Sequence, residues 1–386
     1  MNFLFPYMAR WKAVNWTRYH QIFSQLATLG HKIYVLQPPP TNIHETNFQE
    51  IDVQIPPNIN LFDIPVDARI WKRNFPLNKL IKKGYYSVVS GKHVGAAIKR
   101  LHIDVLLVYN LPQYPLLQRA GCFTVFDVAD DYVPMLRYEL GKFANPFVTS
   151  LGRYVMNRMM LKADLITVPS YVLADSIYPY KSNKLKILPN GVDLKELVPS
   201  GIDKSAGQKP MVGFVGAFEY FVDLDLILEI ARRLPQIQFT LVGSGREFPR
   251  IKKNVAEMNL KNVILTGPVP HSKIATYIDA MDICLNVFKR NKVTECAIPI
   301  KLFEYFAMKK PVISTGLREL KLFDKQYMVF ADTADEFITA IKNFLADKKL
   351  AEEYAQRAYR VTIQRYTWNN LARRFLDYIE ERKAGR

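Results

Sequence analysis

Two charged residues lie inside an otherwise apolar stretch, PIKLFEYFAMKKPVIST, at residues 299–315. Pro299 favours the first turn of a helix, and Lys301 and Glu304, three positions apart, would then share one helix face. Free amides at a helix N-terminus together with a lysine predict a diphosphate site, and Glu304, one turn later, would accept two hydrogen bonds from a ribose diol. The alternative is a Lys–Glu surface pair worth about 0.3 kcal/mol. The apolar flanks favour the ligand site.

Glycine turns and a basic loop supply further candidate contacts with a phosphate group. GFVGAF contains Gly216, and LVGSGRE contains Gly243 and Gly245, which would let backbone amides approach a phosphate, although tight strand–helix turns also need glycine. Lys289 and Arg290 precede the predicted helix. The three glycines of a dinucleotide fingerprint and its acidic ribose ligand are missing from these segments, so no nicotinamide cofactor is predicted.

Two pairs of aspartates are candidates for acid–base or metal chemistry. Asp130 and Asp131 follow the apolar run CFTVFDV, where a carboxylate could act as a general base. A helix cap or a structural acidic pair explains them equally well. Asp223 and Asp225 resemble a metal-binding Asp-x-Asp, but they open a predicted helix, where aspartate caps free amides. No metal site is therefore predicted.

A run of basic and aromatic residues between Asp67 and Asp104 contains no acidic residue. This composition is typical of a patch that binds an anionic membrane surface, and a solvated basic face is the alternative. No nucleic-acid-binding module is recognisable, so nucleic acid is not a predicted partner. The candidate patch residues are Arg69, Trp71, Lys72, Arg73, Lys79, Lys82 and Lys83.

The composition is that of a globular protein of more than one domain. The chain has 386 residues, 49% of them hydrophobic and 23% charged. Its net charge of +17 favours acidic partners such as phosphorylated substrates or anionic lipid. Three scattered cysteines fit a reducing compartment, and neither a signal peptide nor a membrane span is recognisable. We expect a cytoplasmic protein, peripheral on the inner face of the cell membrane.

Alternating strands and helices must position these residues. Continuous apolar runs such as KIYVLQ, CFTVFDV and QFTLVGSG are typical of parallel strands covered on both faces, and amphipathic helices lie between them. The polar stretch at 195–210 is predicted to be a linker. We predict an α/β protein with two doubly wound, parallel-sheet Rossmann-like domains, residues 1–198 and 199–365, facing a cleft.

Several of these motifs resemble one family. PIKLFEYFAMKKPVIST, with ILPNGVD at 187–193, GFVGAF and FTLVGSG, resembles family-4 glycosyltransferases of the GT-B fold over nearly the whole chain. FDVADDY at 126–132 and DLDLILEIA at 223–231 are similar to a subgroup, of the teichuronic-acid type, that builds bacterial surface polysaccharides. The resemblance implies a metal-independent hexosyltransferase. Its second domain would bind a UDP- or GDP-linked sugar and its first a lipid-linked or oligosaccharide acceptor, with a helix at 366–386 packing back on the first domain.

The chain departs from the family pattern in the donor motif. Glu304 matches the second glutamate of the E-x7-E motif, which the resemblance implies binds the nucleotide ribose. Cys296 stands at the position of the first glutamate, with Glu295 one place away. The usual basic pair after the Gly-x-x-Gly strand is also absent from residues 217–225. The diphosphate charge would then be met by Lys301, Lys289 and Arg290.

Three functions stay open, of which a glycosyltransferase is favoured. A nucleotide-sugar 2-epimerase of the same fold would have no use for the basic, aromatic patch. A degenerate homologue that binds nucleotide sugars without catalysis would explain the departures from the motif. An inverting transferase needs a base such as Asp130 or Asp131, whereas a retaining one can use the leaving phosphate.

Overall fold

The computed structural model divides the chain into two compact units, Met1–Pro189 with Trp368–Arg386, and Asn190–Thr367. The predicted domain boundary, between 198 and 199, falls inside the second unit, and most of the predicted linker lies outside the described residues. The structure describes residues 1–12, 17–39, 55–67, 69–70, 73, 78–118, 120–141, 145–177, 182–195, 197–199, 209–322 and 326–385, without the side chains of 78, 79, 137–139 and 271.

The first unit contains a seven-stranded parallel sheet in the order β3-β2-β1-β4-β5-β6-β7. Its strands are β1 (Asn2–Pro6), β2 (Lys32–Gln37), β3 (Ile59–Asp63), β4 (Val105–Val108), β5 (Phe123–Asp127), β6 (Leu165–Val168) and β7 (Leu185–Ile187). Its first helices are α1 (Arg18–Thr28), α2 (Asn78–Arg100), α3 (Tyr114–Gln118), α4 (Tyr132–Leu140), α5 (Pro146–Lys162) and α6 (Tyr171–Ile177).

The central strands of this sheet are buried along their whole length. Every residue of β4, β5 and β6 is buried, because helices cover both faces of a doubly wound sheet. The strand β1 has no counterpart among the predicted strands, since its apolar run is short and lies at the start of the chain. It nevertheless pairs with both β2 and β4, where the strand order reverses. Ligands of such sheets bind at the carboxyl ends of the strands near this reversal.

The second unit contains a six-stranded parallel sheet in the order β10-β9-β8-β11-β12-β13. Its strands are β8 (Met211–Val215), β9 (Gln238–Val242), β10 (Val263–Gly267), β11 (Ile283–Asn286), β12 (Val312–Ser314) and β13 (Val329–Phe330). Its helices are α7 (Leu224–Arg233), α8 (Phe248–Glu257), α9 (Ile274–Ala280), α10 (Ile300–Ala307), α11 (Ala334–Ala346) and α12 (Lys348–Arg365). The prediction of two doubly wound parallel-sheet domains is thus confirmed.

The last two helices of the chain lie in different units. The helix α12 ends before Tyr366, whose ring stacks on Phe303 with 4.8 Å between centroids, and the Tyr366 carbonyl accepts a hydrogen bond from the Val192 amide at 2.9 Å. These contacts and an isolated parallel bridge between Val192 and Thr367 hold the segment between the two helices in the second unit. The last helix, α13 (Trp368–Ala384), packs against α1 in the first unit, and the rings of Phe375 and Phe3 lie 6.4 Å apart.

The packing of α13 can be tested by Phe375→Ala, since Phe375 is fully buried against the first sheet. We expect the variant to lower the free energy of unfolding of the first unit by about 3–5 kcal/mol, the range for a buried phenylalanine truncated to alanine. Urea denaturation followed by tryptophan fluorescence measures it, because all four tryptophans lie in the segments of the first unit. The exposed Asp377→Ala is the control, and an equal, small change in both variants would contradict the packing.

Candidate functional site

The helix α10 is mostly apolar because most of its side chains are buried. Phe303, Tyr305 and Phe306 are fully buried. The Tyr305 hydroxyl accepts a hydrogen bond from the Val215 amide at 2.8 Å, which fixes α10 against the end of β8. The N-cap residue, Pro299, is extended, and its carbonyl accepts a hydrogen bond from the Leu302 amide at 3.1 Å. The amides of Ile300 and Lys301, the first two of the helix, precede any intrahelical acceptor. The helix therefore brings its N-terminus close to the carboxyl end of a central strand.

Lys301 lies on the first turn of α10 and is partly buried. Its Nζ atom is 3.8 Å from the centroid of the Phe214 ring and 5.8 Å from that of Phe288. It also covers Gly216, where an added Cβ atom would be 2.4 Å from the Lys301 Nζ. Gly216 has a φ of +143°, which side chains rarely adopt, so the backbone favours glycine there, and a side chain would also displace the end of Lys301.

The surroundings of Lys301 change its titration. The loss of water around the ammonium group lowers the pKa of Lys301 from 10.5 to about 7, although the nearby Glu304 acts in the opposite direction. Glu304 is itself buried. The two residues that the sequence pairs on one helix face thus lie in the protein, and not on an open helix surface.

The glycines after β9 serve the packing of two loops. A Cβ atom added at Gly243 would be 2.1 Å from the Gly216 carbonyl oxygen, and one added at Gly245 would be 2.6 Å from the Phe218 carbonyl oxygen. The Phe218 amide also donates to the Ser244 carbonyl at 3.0 Å. Close approach of the two backbones is therefore a structural reason for these glycines, and their proposed contact with a phosphate stays a prediction.

The basic loop before α10 is held by its own ion pairs. The Arg290 guanidinium donates to the Glu295 carboxylate at 2.8 Å and lies 3.5 Å from Asp332. The second Glu295 oxygen accepts a hydrogen bond from the Arg318 amide at 2.6 Å. Glu295 therefore shapes the loop, and part of the Arg290 charge is neutralised. Lys289 is exposed.

The aspartates that open α7 take part in the local structure. Asp223 caps the helix by accepting a hydrogen bond from the Leu226 amide at 3.2 Å. Asp225 accepts two hydrogen bonds from Arg250, at 2.7 and 3.0 Å, and these bonds lower the pKa of Asp225. Capping and ion pairing account for both carboxylates.

A buried ion pair lies at the carboxyl end of β5 in the first unit. Arg18 and Asp127 are 3.2 Å apart, with 6% and 2% of their side chains exposed. Asp127 also accepts a hydrogen bond from the Thr167 hydroxyl at 2.6 Å, and Arg18 donates to the Leu188 carbonyl at 3.0 Å. The other Asp127 oxygen has no hydrogen-bond partner among the described residues. The sequence analysis missed this pair, although an aspartate ending an apolar strand was a signal for it.

The two candidate catalytic aspartates next to this pair differ in their surroundings. Asp131 is buried, caps α4 through the Val133 amide at 3.3 Å, and lies 3.6 Å from Arg153. Asp130 is exposed. Loss of water around its carboxyl group raises the pKa of Asp130 to about 6; the charges of Asp127 and Asp131 act in the same direction and that of Arg18 opposes them. Asp130 is thus the carboxylate suited to exchange a proton near neutral pH.

Only some of the residues of the predicted basic patch lie at the surface. Arg69 and Arg73 are exposed, and Arg69 pairs with Asp67 at 3.4 Å. Lys83 is partly buried, whereas only 2% of Lys82 is exposed. Lys82 falls on the helix face that also carries the buried Tyr86 and Ser90, so it does not belong to a surface patch. Trp71, Lys72 and the Lys79 side chain lie outside the described residues.

Within the described ranges of the chain, no helix is both long enough and apolar enough to span a membrane.

The two parallel-sheet units indicate the class of protein. Two Rossmann-like units in one chain are typical of the GT-B architecture, and in this chain the second unit has a basic helix N-terminus at the end of its sheet. Residues 17–196 match the family model described as Glycosyltransferase Family 4, and residues 225–377 match the model described as Glycosyl transferase-like. The chain is thus a homologue of glycosyltransferases with the GT-B fold, and the resemblance noted in the sequence is confirmed.

Individual proteins agree with this class. The chain is 25% identical over 285 residues to TuaH of Bacillus subtilis, a glycosyltransferase assigned to teichuronic acid biosynthesis, with 70% of this chain and 71% of the relative covered. A sucrose-phosphate synthase from Thermosynechococcus elongatus shares the fold with a TM-score of 0.78 and 17% identity, covering 100% of both chains. Anabaena HepE, in complex with UDP and glucose, shares it with a TM-score of 0.71 and 13% identity, over 98% of this chain and 99% of that one.

The burial of Lys301 predicts how the stability depends on pH. Since its pKa falls from 10.5 to about 7 on folding, the unfolded chain binds one more proton than the folded chain between these values, and the free energy of unfolding rises with pH in that window. Lys301→Met should remove this rise and should leave the free energy of unfolding with a weaker dependence on pH between 7 and 10. Urea denaturation at pH 6, 7, 8.5 and 10 measures this dependence.

The matched control is Lys252→Met, since Lys252 is exposed on α8. It should leave the stability and its pH dependence unchanged. A Lys301→Met variant with the wild-type pH dependence would show that the ammonium keeps its ordinary hydration.

Proposed function

We propose that the protein is a glycosyltransferase that moves a sugar from a nucleotide sugar to a lipid-linked or growing cell-surface glycan. The observation that carries the proposal is the position of Lys301 on the first turn of α10, over Gly216 and the ring of Phe214. A positive charge next to free helix amides fits a diphosphate. The UDP-bound structure of HepE supports a nucleotide-linked donor, UDP- or GDP-linked here, and the role assigned to TuaH supports a surface polysaccharide as the product.

The donor would bind in the second unit through α10. Its first amides and Lys301 would hold the diphosphate, and Glu304 would accept hydrogen bonds from the ribose. A lysine with a pKa of about 7 is only partly charged at neutral pH. A bound diphosphate would raise that pKa, because an adjacent negative charge favours the ammonium form. Donor binding would therefore bring a proton onto Lys301.

The acceptor would bind in the first unit, where Asp130 would act as the general base. Asp130 would take the proton from the acceptor hydroxyl as its oxygen attacks the anomeric carbon of the donor sugar. The bond between that carbon and the diphosphate oxygen would break, its electron pair leaving with the nucleoside diphosphate. Lys301 and the α10 amides would stabilise the charge of the leaving group. Such a displacement inverts the anomeric centre.

Asp131 would have a structural role in this mechanism. Its carboxylate already binds the Val133 amide and Arg153, so it is less free to accept a proton than Asp130. Arg18, close enough to lower the pKa of Asp130, would keep that carboxylate ionised at neutral pH.

A second candidate is a homologue that binds nucleotide sugars without transferring them. It is favoured by the donor motif, because Cys296 replaces the first glutamate and the carboxylate of Glu295 is engaged with Arg290 and the Arg318 amide. Slow hydrolysis of a nucleotide sugar in the absence of acceptor distinguishes the two candidates. A transferase should release the sugar slowly, and a non-catalytic homologue should release none.

Glu304→Ala should weaken the binding of the donor nucleotide. We expect the dissociation constant of UDP or GDP to rise by roughly ten- to a hundredfold, because two hydrogen bonds from the ribose at about 1.5 kcal/mol each are lost. Isothermal titration calorimetry measures it, with the exposed Glu352→Ala on α12 as the control. An unchanged dissociation constant would remove Glu304 from the donor site.

Asp130→Asn should lower sugar transfer by about a hundredfold or more, the scale of general-base catalysis, and should leave nucleoside diphosphate binding unchanged. Since the pKa of Asp130 is about 6, wild-type transfer should fall as the pH drops through 6, and the variant should lose this dependence. Initial rates of transfer from pH 5 to 8 measure both effects.

The neighbouring Asp131→Asn is the matched variant. It should lower the stability, because it weakens a helix cap and an ion pair, and it should keep most of the transfer activity in the folded protein. The opposite result would make Asp131 the base. Near-normal transfer by both variants would indicate a retaining enzyme.

A further inference from the structure

The helix α5 presents an apolar stripe to solvent. Phe147, Leu151, Tyr154 and Leu161 have 75%, 51%, 60% and 63% of their surface exposed. At about 100° per residue, these four positions fall within an arc of about 80° on the helix. The opposite face, which includes Met156 and Met159, is buried in the first unit. Four large apolar side chains in one exposed stripe are more than isolated surface residues and mark an interaction surface.

The charges on α5 all have the same sign. The helix contains Arg153, Arg158 and Lys162 and no acidic residue. Arg158 and Lys162 are exposed, and the helical spacing puts them on the same side as the apolar stripe. Apolar side chains bordered by basic ones are the pattern of helices that lie in the interface of an anionic membrane.

The charge of the protein favours an anionic membrane over a second copy of the chain as the partner of this stripe. The protein carries a net charge of +17, and a second copy docked through α5 would bring a second basic stripe against the first. Anionic lipid headgroups instead neutralise Arg158 and Lys162, while the acyl boundary takes up the apolar side chains. The stripe therefore fits a membrane better than it fits a copy of the chain.

The helix that carries the stripe also contacts the candidate acceptor site. The helix α5 packs against α4, and its Arg153 lies 3.6 Å from Asp131, next to Asp130. We propose that the α5 stripe, formed by Phe147, Leu151, Tyr154 and Leu161 with Arg158 and Lys162, is the surface by which the protein binds an anionic membrane. This inference rests on the proposed function, because membrane binding through α5 would hold the first unit close to lipid-linked acceptors.

Vesicle flotation tests the proposal directly. The full-length protein should float with vesicles of equal parts phosphatidylcholine and phosphatidylglycerol, and much less with pure phosphatidylcholine. Phe147→Ser combined with Leu151→Ser should weaken binding to the anionic vesicles by about tenfold or more, and Arg158→Glu combined with Lys162→Glu should do the same. All four side chains are exposed, so the variants should fold.

Two control variants separate the stripe from other surfaces. Ile81→Ser combined with Val88→Ser changes exposed apolar residues of α2, and Arg69→Glu combined with Arg73→Glu changes the exposed part of the predicted basic patch. Neither should reduce flotation as far as the α5 variants do. Equal loss in all variants, or no loss in the α5 variants, would overturn the proposal.

Two further measurements distinguish the other outcomes. If the wild type does not float but sediments as a dimer that the α5 variants dissociate, the stripe binds a second copy and the membrane proposal is wrong. Calorimetric titration with UDP and GDP tests the donor site independently, and the α5 variants should bind as the wild type does. Flotation without nucleotide binding would contradict the proposed function and leave the membrane surface supported.

Discussion

The candidate site of the second unit depends on the position of one partly buried ammonium group, that of Lys301. Lys301 can lie over the Phe214 ring only because Gly216 has no side chain, and α10 can carry the lysine there only because the Tyr305 hydroxyl holds the helix to the Val215 amide. Burial of α10 against β8 also explains why most of the side chains around Lys301 are apolar. A charge in such a position is costly in the free protein, and an anionic ligand would remove most of that cost.

The first unit has its own buried charge, and it orders the candidate acceptor site. The pair of Arg18 and Asp127 joins the start of α1 to the end of β5, and a hydrogen bond from Arg18 reaches the Leu188 carbonyl. Removing one partner of such a pair would leave an uncompensated buried charge, which is strongly destabilising. Asp130 and Asp131 follow Asp127 by three and four residues, and their different partners give the two carboxylates different roles in our proposal.

Much of the fold could be predicted from the sequence, because continuous apolar runs between amphipathic helices are specific to covered parallel sheets. The stacking of Tyr366 on Phe303, between α12 and α13, is a tertiary contact without a local signal in the sequence. The candidate site was predictable where one helix carries it, as for Lys301 and Glu304. The burial of Lys82, the packing role of Gly243 and the pairing of Arg18 with Asp127 were not, because each depends on residues distant in the chain.

The central claim is that Lys301 receives a proton when it binds the donor diphosphate. Calorimetric titration of the wild-type protein with a nucleoside diphosphate at pH 8, in buffers of different ionisation enthalpy, measures the number of protons taken up. We expect an uptake approaching one proton, which should disappear in Lys301→Met together with most of the affinity. Binding of equal strength in both proteins, with no proton uptake in either, would contradict it.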